Sequence, residues 1–310
     1  MTLFRAAGQP VPGEAFHAAP AREIIPVMIR LFVDRLTVID FSYLHTQRGL
    51  LGESWLCDIE LSGEPDAQGM ILDFGEVKRG VKRLIDERFD HTLIVPRRHP
   101  SLVIESSPDR CALTFPFGEG LQIVHLGPPA STCLVDAAEI TPQTLARAIE
   151  TALRPELPGN VAAIEVTLRE EPHGGACYQY SHGLRQHDGN CQRIAHGHRS
   201  RIEIWRDGVR DAALERAWAE RWRDVYIGTR ANLIGTPSLG GVAYCRFGYR
   251  GTQGAFALEL PADRCRLIDT DSTVENLARH VAERLAIEQP GARYRVRAFE
   301  GVDKGAVAET

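Results

Sequence analysis

Ser131-Thr-Cys-Leu-Val-Asp stands ahead of Thr141-Pro-Gln-Thr-Leu-Ala-Arg-Ala-Ile, and Asp263-Arg-Cys-Arg-Leu-Ile-Asp stands ahead of Thr273-Val-Glu-Asn-Leu-Ala-Arg-His-Val. The two stretches are one pattern written twice, with Cys133 mapping to Cys265, Leu145 to Leu277 and Arg147 to Arg279, each 132 positions apart. Farther on, Glu170 and Glu300 close two similar alternating segments 130 apart. Self-similarity at a fixed spacing marks a duplicated unit. Both Thr-led stretches read as helices, because Leu145, Ile149 and Leu153 recur at i, i+4, i+8, as do Leu277, Val281 and Leu285. Pro142 suits the first turn after Thr141, and Ser272 with Glu275 has capping-box spacing.

Working outward, each copy has an earlier amphipathic helix. In the first, Val77, Val81, Leu84 and Ile85 form the apolar stripe and Asp73 with Glu76 the cap; in the second the stripe is Leu214, Trp218 and Trp222. Alternating segments at Leu56–Leu61, Ala162–Leu168, Arg201–Trp205 and Arg293–Phe299 read as strands. The expected class is α+β: two ββααββ modules, each an antiparallel sheet with helices on one face, over residues 28–177 and 178–310. Strand-rich insertions fall at about 99–130 and 236–262, and residues 1–27 read as an irregular arm. Sheets this small leave open edges, and closure by neighbouring modules predicts an oligomeric barrel.

Composition narrows the function. With 44% hydrophobic and 25% charged residues, the chain can bury two cores and is not of the disordered class. A net charge of −5 argues against a nucleic-acid partner, and no apolar run is long enough for a membrane span or a signal peptide. Seven scattered cysteines without a paired framework suit a reducing compartment, so the expected location is the cytoplasm.

The chemistry concentrates in Tyr180-Ser-His-Gly-Leu and, after a short turn, Cys191-Gln-Arg-Ile-Ala-His-Gly-His-Arg-Ser. His196 and His198 are two apart on a strand, so their rings share a face, and His182 lies on the preceding strand of the hairpin. Three imidazoles with an open fourth position are the donor set of a catalytic zinc. A lone His-x-His is commonly a surface pattern; the third histidine and the nearby cysteine favour the metal.

These motifs resemble the 6-pyruvoyl/6-carboxytetrahydropterin synthase family, whose bacterial members carry a strand ending in His, then Cys, then His-Gly-His. The family's Gly-x-x-x-Asp-Phe helix start and Asp-His helix end are matched by Gly69-Met-Ile-Leu-Asp-Phe and by Phe89-Asp-His. Its Pro-Thr-x-Glu-Asn stretch appears as Ser272-Thr-Val-Glu-Asn, and its closing strand with an anchoring glutamate occurs twice. The likeness covers most of residues 30–310 apart from the insertions. Two departures stand out: Cys191 precedes His196 by five residues rather than four, and Leu93-Ile94 replaces Leu-Asn.

The resemblance implies a tunnelling fold and a Zn2+ lyase that converts 7,8-dihydroneopterin triphosphate to a 6-carboxy- or 6-pyruvoyl-tetrahydropterin, the former preferred. It implies a homo-oligomer, a trimer of two-module chains. It gives zinc to His182, His196 and His198, general-base chemistry to Cys191, and the second proton transfer to His91 oriented by Asp90. Glu170 or Glu300 would bind the pterin, with Thr141 and Thr273 in the same pocket. A pterin- or purine-binding protein of this fold without activity is the competing reading. Aligning Ile59 with Ile202 puts Glu53 at the position of His196 and Trp55 at that of His198, while Val225 falls at or near His91. Each copy then keeps a different half of the site, and catalysis is expected to be split between modules.

Overall fold

The computed structural model describes residues 29–310, so the expected arm over 1–27 lies outside the described residues. The first unit runs β1 (Arg30–His45), β2 (Gly49–Gly63), α1 (Phe74–Arg88) and β3 (Leu93–Pro96). The insertion strands β4 (Val103–Ser106), β5 (Cys111–Phe117) and β6 (Leu121–Gly127) follow, then β7 (Thr132–Val135), α2 (Pro142–Leu153) and β8 (Val161–Glu170). The second unit runs β9 (Cys177–His182), β10 (His196–Arg206), β11 (Val209–Arg210), α3 (Ala212–Arg221) and β12 (Val225–Thr229). Its insertion is β13 (Leu233–Gly235), β14 (Ser238–Leu239), β15 (Val242–Gly251) and β16 (Gly254–Pro261), followed by β17 (Cys265–Ile268), α4 (Val274–Glu288), β18 (Tyr294–Phe299) and β19 (Gly305–Glu309).

The duplication is visible in the sheets. The first has the order β7-β3-β1-β2-β8, and the second repeats it as β17-β12-β9-β10-β18 with β19 added at the edge. The α+β class stands, with one refinement. The central hairpins are antiparallel, but β3 joins β1, and β7 joins β3, in parallel. Each insertion leaves at one end of the sheet and returns at the other, so the strand that follows runs in the same direction as the strand before it. The first unit also ends on β8 alone; only the second has a closing strand pair, β18–β19.

Each sheet buries its helix-facing side. Phe41, Trp55, Ile59, Val81, Ile85, Leu145 and Ile149 form one core, and Tyr180, Ile202, Ile204, Trp222, Val281 and Val296 the other. The caps follow the sequence except at α4. Thr141 caps α2 in a capping box with Thr144, and the Asp73 side chain accepts from the N–H groups of Gly75 and Glu76 at α1. At α4 the cap is Thr273, one residue after the expected Ser272, because Ser272 is turned inward to a histidine.

The insertions are not independent decorations. Strands β6 and β16 pair antiparallel and merge them into one seven-stranded sheet, order β13-β15-β16-β6-β5-β4 with β14 on β15. Phe115, Phe117, Phe247 and Leu258 of that sheet pack on Leu44, Leu50, Leu93, Ile194 and Tyr226 from both units. Burying side chains of this size is worth about 1.5–3 kcal/mol each, so the third sheet fixes how one unit sits on the other.

Where the units meet, the β1–β2 hairpin lies against the β9–β10 hairpin. Ser42 and Ser181 hydroxyls hydrogen bond at 2.7 Å. Gly52 and Gly197 let the backbones touch: a Cβ on Gly52 would lie 1.8 Å from the Tyr180 carbonyl oxygen, and one on Gly197 would lie 2.6 Å from the Gly52 Cα. The contacts are reciprocal. Ser42 is opposite Gly52 and Leu93, and Ser181 is opposite Gly197 and Tyr226. The units are therefore related by an approximate two-fold axis through the two serines.

Candidate metal centre and its counterpart

The hairpin register decides the donor set. His182 lies directly opposite His196, and His198 is two residues on, so all three rings stand on the helix-facing side of the second sheet. Ring centroids are 4.3 Å apart for His182–His196, 5.3 Å for His182–His198 and 5.7 Å for His196–His198. One donor atom from each ring falls within 4.8 Å of the others. The Nδ1 of His182 meets the Ser272 hydroxyl at 3.0 Å, and that of His196 meets the Arg193 carbonyl at 2.9 Å. These contacts fix the tautomers and leave Nε2 for a ligand, the usual outer arrangement around a metal-binding imidazole.

The cluster fits a metal ion on its own evidence. All three histidines are buried, and the Nε2 atoms of His182 and His198 have no hydrogen-bond partner. Buried polar atoms are seldom left unmatched unless something else satisfies them. Burial, reinforced by the neighbouring histidines, holds His182 and His196 well below the usual imidazole range. They are therefore neutral, as metal coordination requires.

The first unit reaches this cluster across the two-fold contact. Just past the end of α1, His91 takes a left-handed backbone conformation, φ 52°, and its N–H donates to the Asp40 carbonyl at 2.6 Å. The turn aims its ring at the cluster, with centroids 5.0 Å from His196 and 6.1 Å from His198. Asp90 Oδ2 meets His91 Nδ1 at 2.5 Å, and Asp90 Oδ1 accepts from the Asp40 N–H. Cys191 sits on a single 3-10 turn, Asn190–Gln192, that accommodates the extra residue before His196. Donor atoms of His91, Cys191 and His196 also lie within 4.8 Å of one another. Burial opposes charge on His91, but its hydrogen bonds to Asp90 and Cys191, which it donates when protonated, outweigh burial and lift the imidazole to about 10.

Several residues at the site were missed in the sequence. Asp40, on β1 of the first unit, lies 3.2 Å from His198 Nδ1 without the alignment of a full hydrogen bond, and Lys304 Nζ lies 2.9 Å from its other oxygen. Burial alone would raise Asp40. His198, then Lys304 and Ser54, instead hold it well below the usual carboxylate range. The available signal was an aspartate inside the apolar run Val38–Phe41, where an unpaired charge would be costly. A cleft of about 340 Å³ lined by Asp40, Asp90, His91, Lys82 and Lys304 opens beside the cluster. A larger cavity of about 520 Å³ lies against α2 near Arg88 and Arg147 and is lined by none of these groups.

The two-fold relation corrects the alignment between the copies. With Ser42 matched to Ser181 and Gly52 to Gly197, the counterparts of His182, His196 and His198 are Tyr43, Leu51 and Glu53. Trp55 therefore falls opposite Ser200, not His198. The expected match was two residues out, a slip that keeps every side chain on the same face and so leaves the apolar pattern intact. His91 matches Asp224, not Val225: both have positive φ, and the Asp224 N–H donates to the Gln179 carbonyl as that of His91 does to Asp40. Pairing with β3 and β12 likewise matches Cys265 to Thr132 rather than Cys133. The first unit still lacks the histidine set.

The candidate pterin residues divide between the two sides. Glu170 and Thr141 do not join the histidine cluster; they line a separate pocket of about 270 Å³ with Tyr43, Glu53, Trp55 and Arg48. Thr273 follows Ser272, the partner of His182, and Glu300 follows β18, where its charge acts on Tyr180 and Lys304. The second unit's glutamate and threonine are thus the pair on the histidine side. Cys57, Cys111, Cys245 and Cys265 are buried and Cys133 half-buried, away from both sites.

The fold and cluster define a duplicated α+β unit with a histidine-rich candidate metal centre at the junction of its copies. The family model for 6-pyruvoyl tetrahydropterin synthase matches residues 39–180. Among solved structures, the 6-pyruvoyltetrahydropterin synthase of Plasmodium vivax is similar at 19% identity and a TM-score of 0.40, over 48% of this chain and 95% of that one. The Plasmodium falciparum enzyme is similar at 16% identity and 0.39, over 47% and 93%. No curated protein matches at a significant level. No helix among the described residues is long and apolar enough to cross a membrane.

Proposed function

We propose that the chain is a zinc-dependent synthase acting on 7,8-dihydroneopterin triphosphate to give a 6-substituted tetrahydropterin, with the 6-carboxy product preferred. One observation carries this reading: three buried histidines of the second unit stand beside Cys191 and the Asp90–His91 pair, the latter supplied by the first unit. Zinc bound by His182, His196 and His198 would supply Lewis-acid stabilisation of negative charge developing on a substrate oxygen. Cys191 takes a proton from carbon, and His91 moves the second proton while Asp90 fixes its ring and balances its charge. Glu300 accepts the donor edge of the pterin, with Thr273 near it. Lys82 and Lys304 line the adjoining cleft, where cations suit a triphosphate.

The open sheet edges at β7, β8, β17 and β19 support association of chains, and the reading includes a homo-oligomer, a trimer of two-module chains. Unpaired cysteines suit the cytoplasm. The test is incubation of zinc-loaded protein with 7,8-dihydroneopterin triphosphate, following loss of triphosphate and the mass of the product. A fully zinc-loaded protein that leaves the substrate intact would overturn the enzymatic reading.

A further inference from the structure

Two contacts that build the histidine site have a partner across the two-fold axis. Asp40 beside His198 is answered by Gln179, whose Nε2 donates to Glu53 at 2.7 Å; Arg193, 3.4 Å from the His91 carbonyl, is answered by Arg48, bonded to Asp224. At the counterpart of the metal centre, Tyr43, Leu51 and Glu53 cannot form a three-imidazole set, yet a pocket of about 270 Å³ remains.

We propose that this pocket is a second, metal-free binding site for a planar, uncharged heterocycle presenting a ring N–H beside an amino group, the donor edge shared by pterins and guanine. The ligand class rests on the pterin reading of the histidine site, of which this pocket is the image. Three local features point the same way. The first is charge: Glu139 and Glu170 line the pocket, while the guanidinium of Arg48 is already committed to Asp224, so the lining disfavours anions and accepts from donors. The second is shape: Tyr43 and Trp55, with ring centroids 6.4 Å apart, supply flat apolar surface. The volume lies just under the roughly 300–1,000 Å³ usual for drug-sized ligands and suits one bicyclic ring. The third is the rim: Glu170 is 57% exposed and lies 3.1 Å from Arg199, which holds the carboxylate in place at the mouth. A carboxylate so placed accepts two N–H donors side by side. Deeper in, Glu53 is buried, with its oxygens accepting from the Ser54 N–H and Gln179.

The experiment is equilibrium binding of neopterin and, separately, guanosine to the wild-type chain, to a His196→Ala/His198→Ala variant, and to that variant with Glu170→Gln. The expected result is one retained site per chain in the histidine variant, weakened at least tenfold by Glu170→Gln; whichever probe binds more tightly identifies the source. Because Glu170 is at the rim, its substitution leaves the folded core alone, and circular dichroism verifies this. If wild-type protein binds one neopterin that the histidine variant loses, this proposal is overturned while the pterin reading of the metal centre stands. If guanosine alone binds, survives the histidine substitutions and is lost with Glu170→Gln, the second site stands and the pterin reading does not. Binding of neither probe to any form, or retained binding indifferent to Glu170→Gln, overturns the proposal.

Discussion

Gly52→Ala is the sharpest probe of a site assembled from two units, because it acts only on their contact. The new methyl would sit 1.8 Å from the Tyr180 carbonyl oxygen and 2.5 Å from the His198 nitrogen, where ordinary contact begins at 3.4 Å. Both obstacles are backbone atoms and cannot rotate away, so the hairpins must part by roughly 1.6 Å. Overpacking of this kind typically costs about 1–3 kcal/mol. The three histidines all belong to the β9–β10 hairpin and move together, so zinc binding should survive. His91 and Asp90 belong to the first unit and should withdraw from Cys191 and His196 by a comparable distance. A misplacement of about 1 Å can cost on the order of 10²-fold in rate. The expected outcome is a folded protein with a lower melting temperature, about one zinc per chain, and turnover reduced by about two orders of magnitude. Metal analysis, thermal unfolding and the synthase assay measure the three quantities on one preparation. Wild-type turnover at wild-type stability would refute the close backbone contact, and loss of zinc with the fold intact would refute the claim that the metal ligands form an independent half.

The wild-type chain should bind about one zinc through His182, His196 and His198, and His196→Ala/His198→Ala should bind none; two tightly held zincs per chain would contradict the asymmetry between the units. Cys191→Ala should be inactive but zinc-replete, and mixing it with His91→Ala chains under subunit exchange should restore nothing, since both halves lie within one chain; recovered turnover would assign the working pair to neighbouring chains. Glu53 gives a prediction for stability. Burial, only partly offset by hydrogen bonds, raises it from 4.5 to about 8, so the folded chain holds this proton more tightly than the unfolded chain. The stability linked to that proton is full below about pH 4.5 and is lost as pH rises through 8. Glu53→Gln should flatten the decline in stability between those values and stabilise the protein at pH 8 by an amount on the order of a few kcal/mol; an unchanged pH profile of thermal unfolding would show that Glu53 ionises freely in the folded state.

The sequence made some levels of this structure legible and hid others for definite reasons. The helices were readable because α1, α2 and α4 present apolar residues at helical spacing, with side-chain caps legible at Asp73 and Thr141 and one residue out at α4, where Thr273 caps in place of Ser272. The histidine hairpin was readable because a two-residue spacing fixes one face of a strand. The match between β2 and β10 was not: alternation repeats every two residues, so Glu53 can be laid on His196 or on His198 with the same faces buried. Only cross-strand registry and the serine contact separate the two. Asp40 was hidden for a related reason. Its role depends on a residue more than 150 positions away, and the apolar run around it marks a buried charge without naming the partner. The merging of the insertions by β6 and β16 is likewise a long-range pairing, although each insertion was readable as strands.

Each side of the axis draws on both units, and this explains why the two copies differ in a coordinated way. On the histidine side, His198 of the second unit faces Asp40 of the first; on the other side, Glu53 of the first faces Gln179 of the second. Removing one member of a buried charged pair costs about 3–5 kcal/mol, because the other is left uncompensated. A glutamate at the histidine position beside a retained aspartate would place two carboxyl groups together in a buried site. The amide at 179 avoids this, and the buried acid keeps a donor. The same holds one contact further out, where Asp224 stands in place of His91 and Arg48 forms an ion pair with it. In two identical separate chains such exchanges could not be confined to one side, since every substitution would appear in both sites. Fusion removes that constraint. The distribution of histidines, carboxyls and amides around the axis is what a duplicated pair yields once each copy can specialise against a fixed partner.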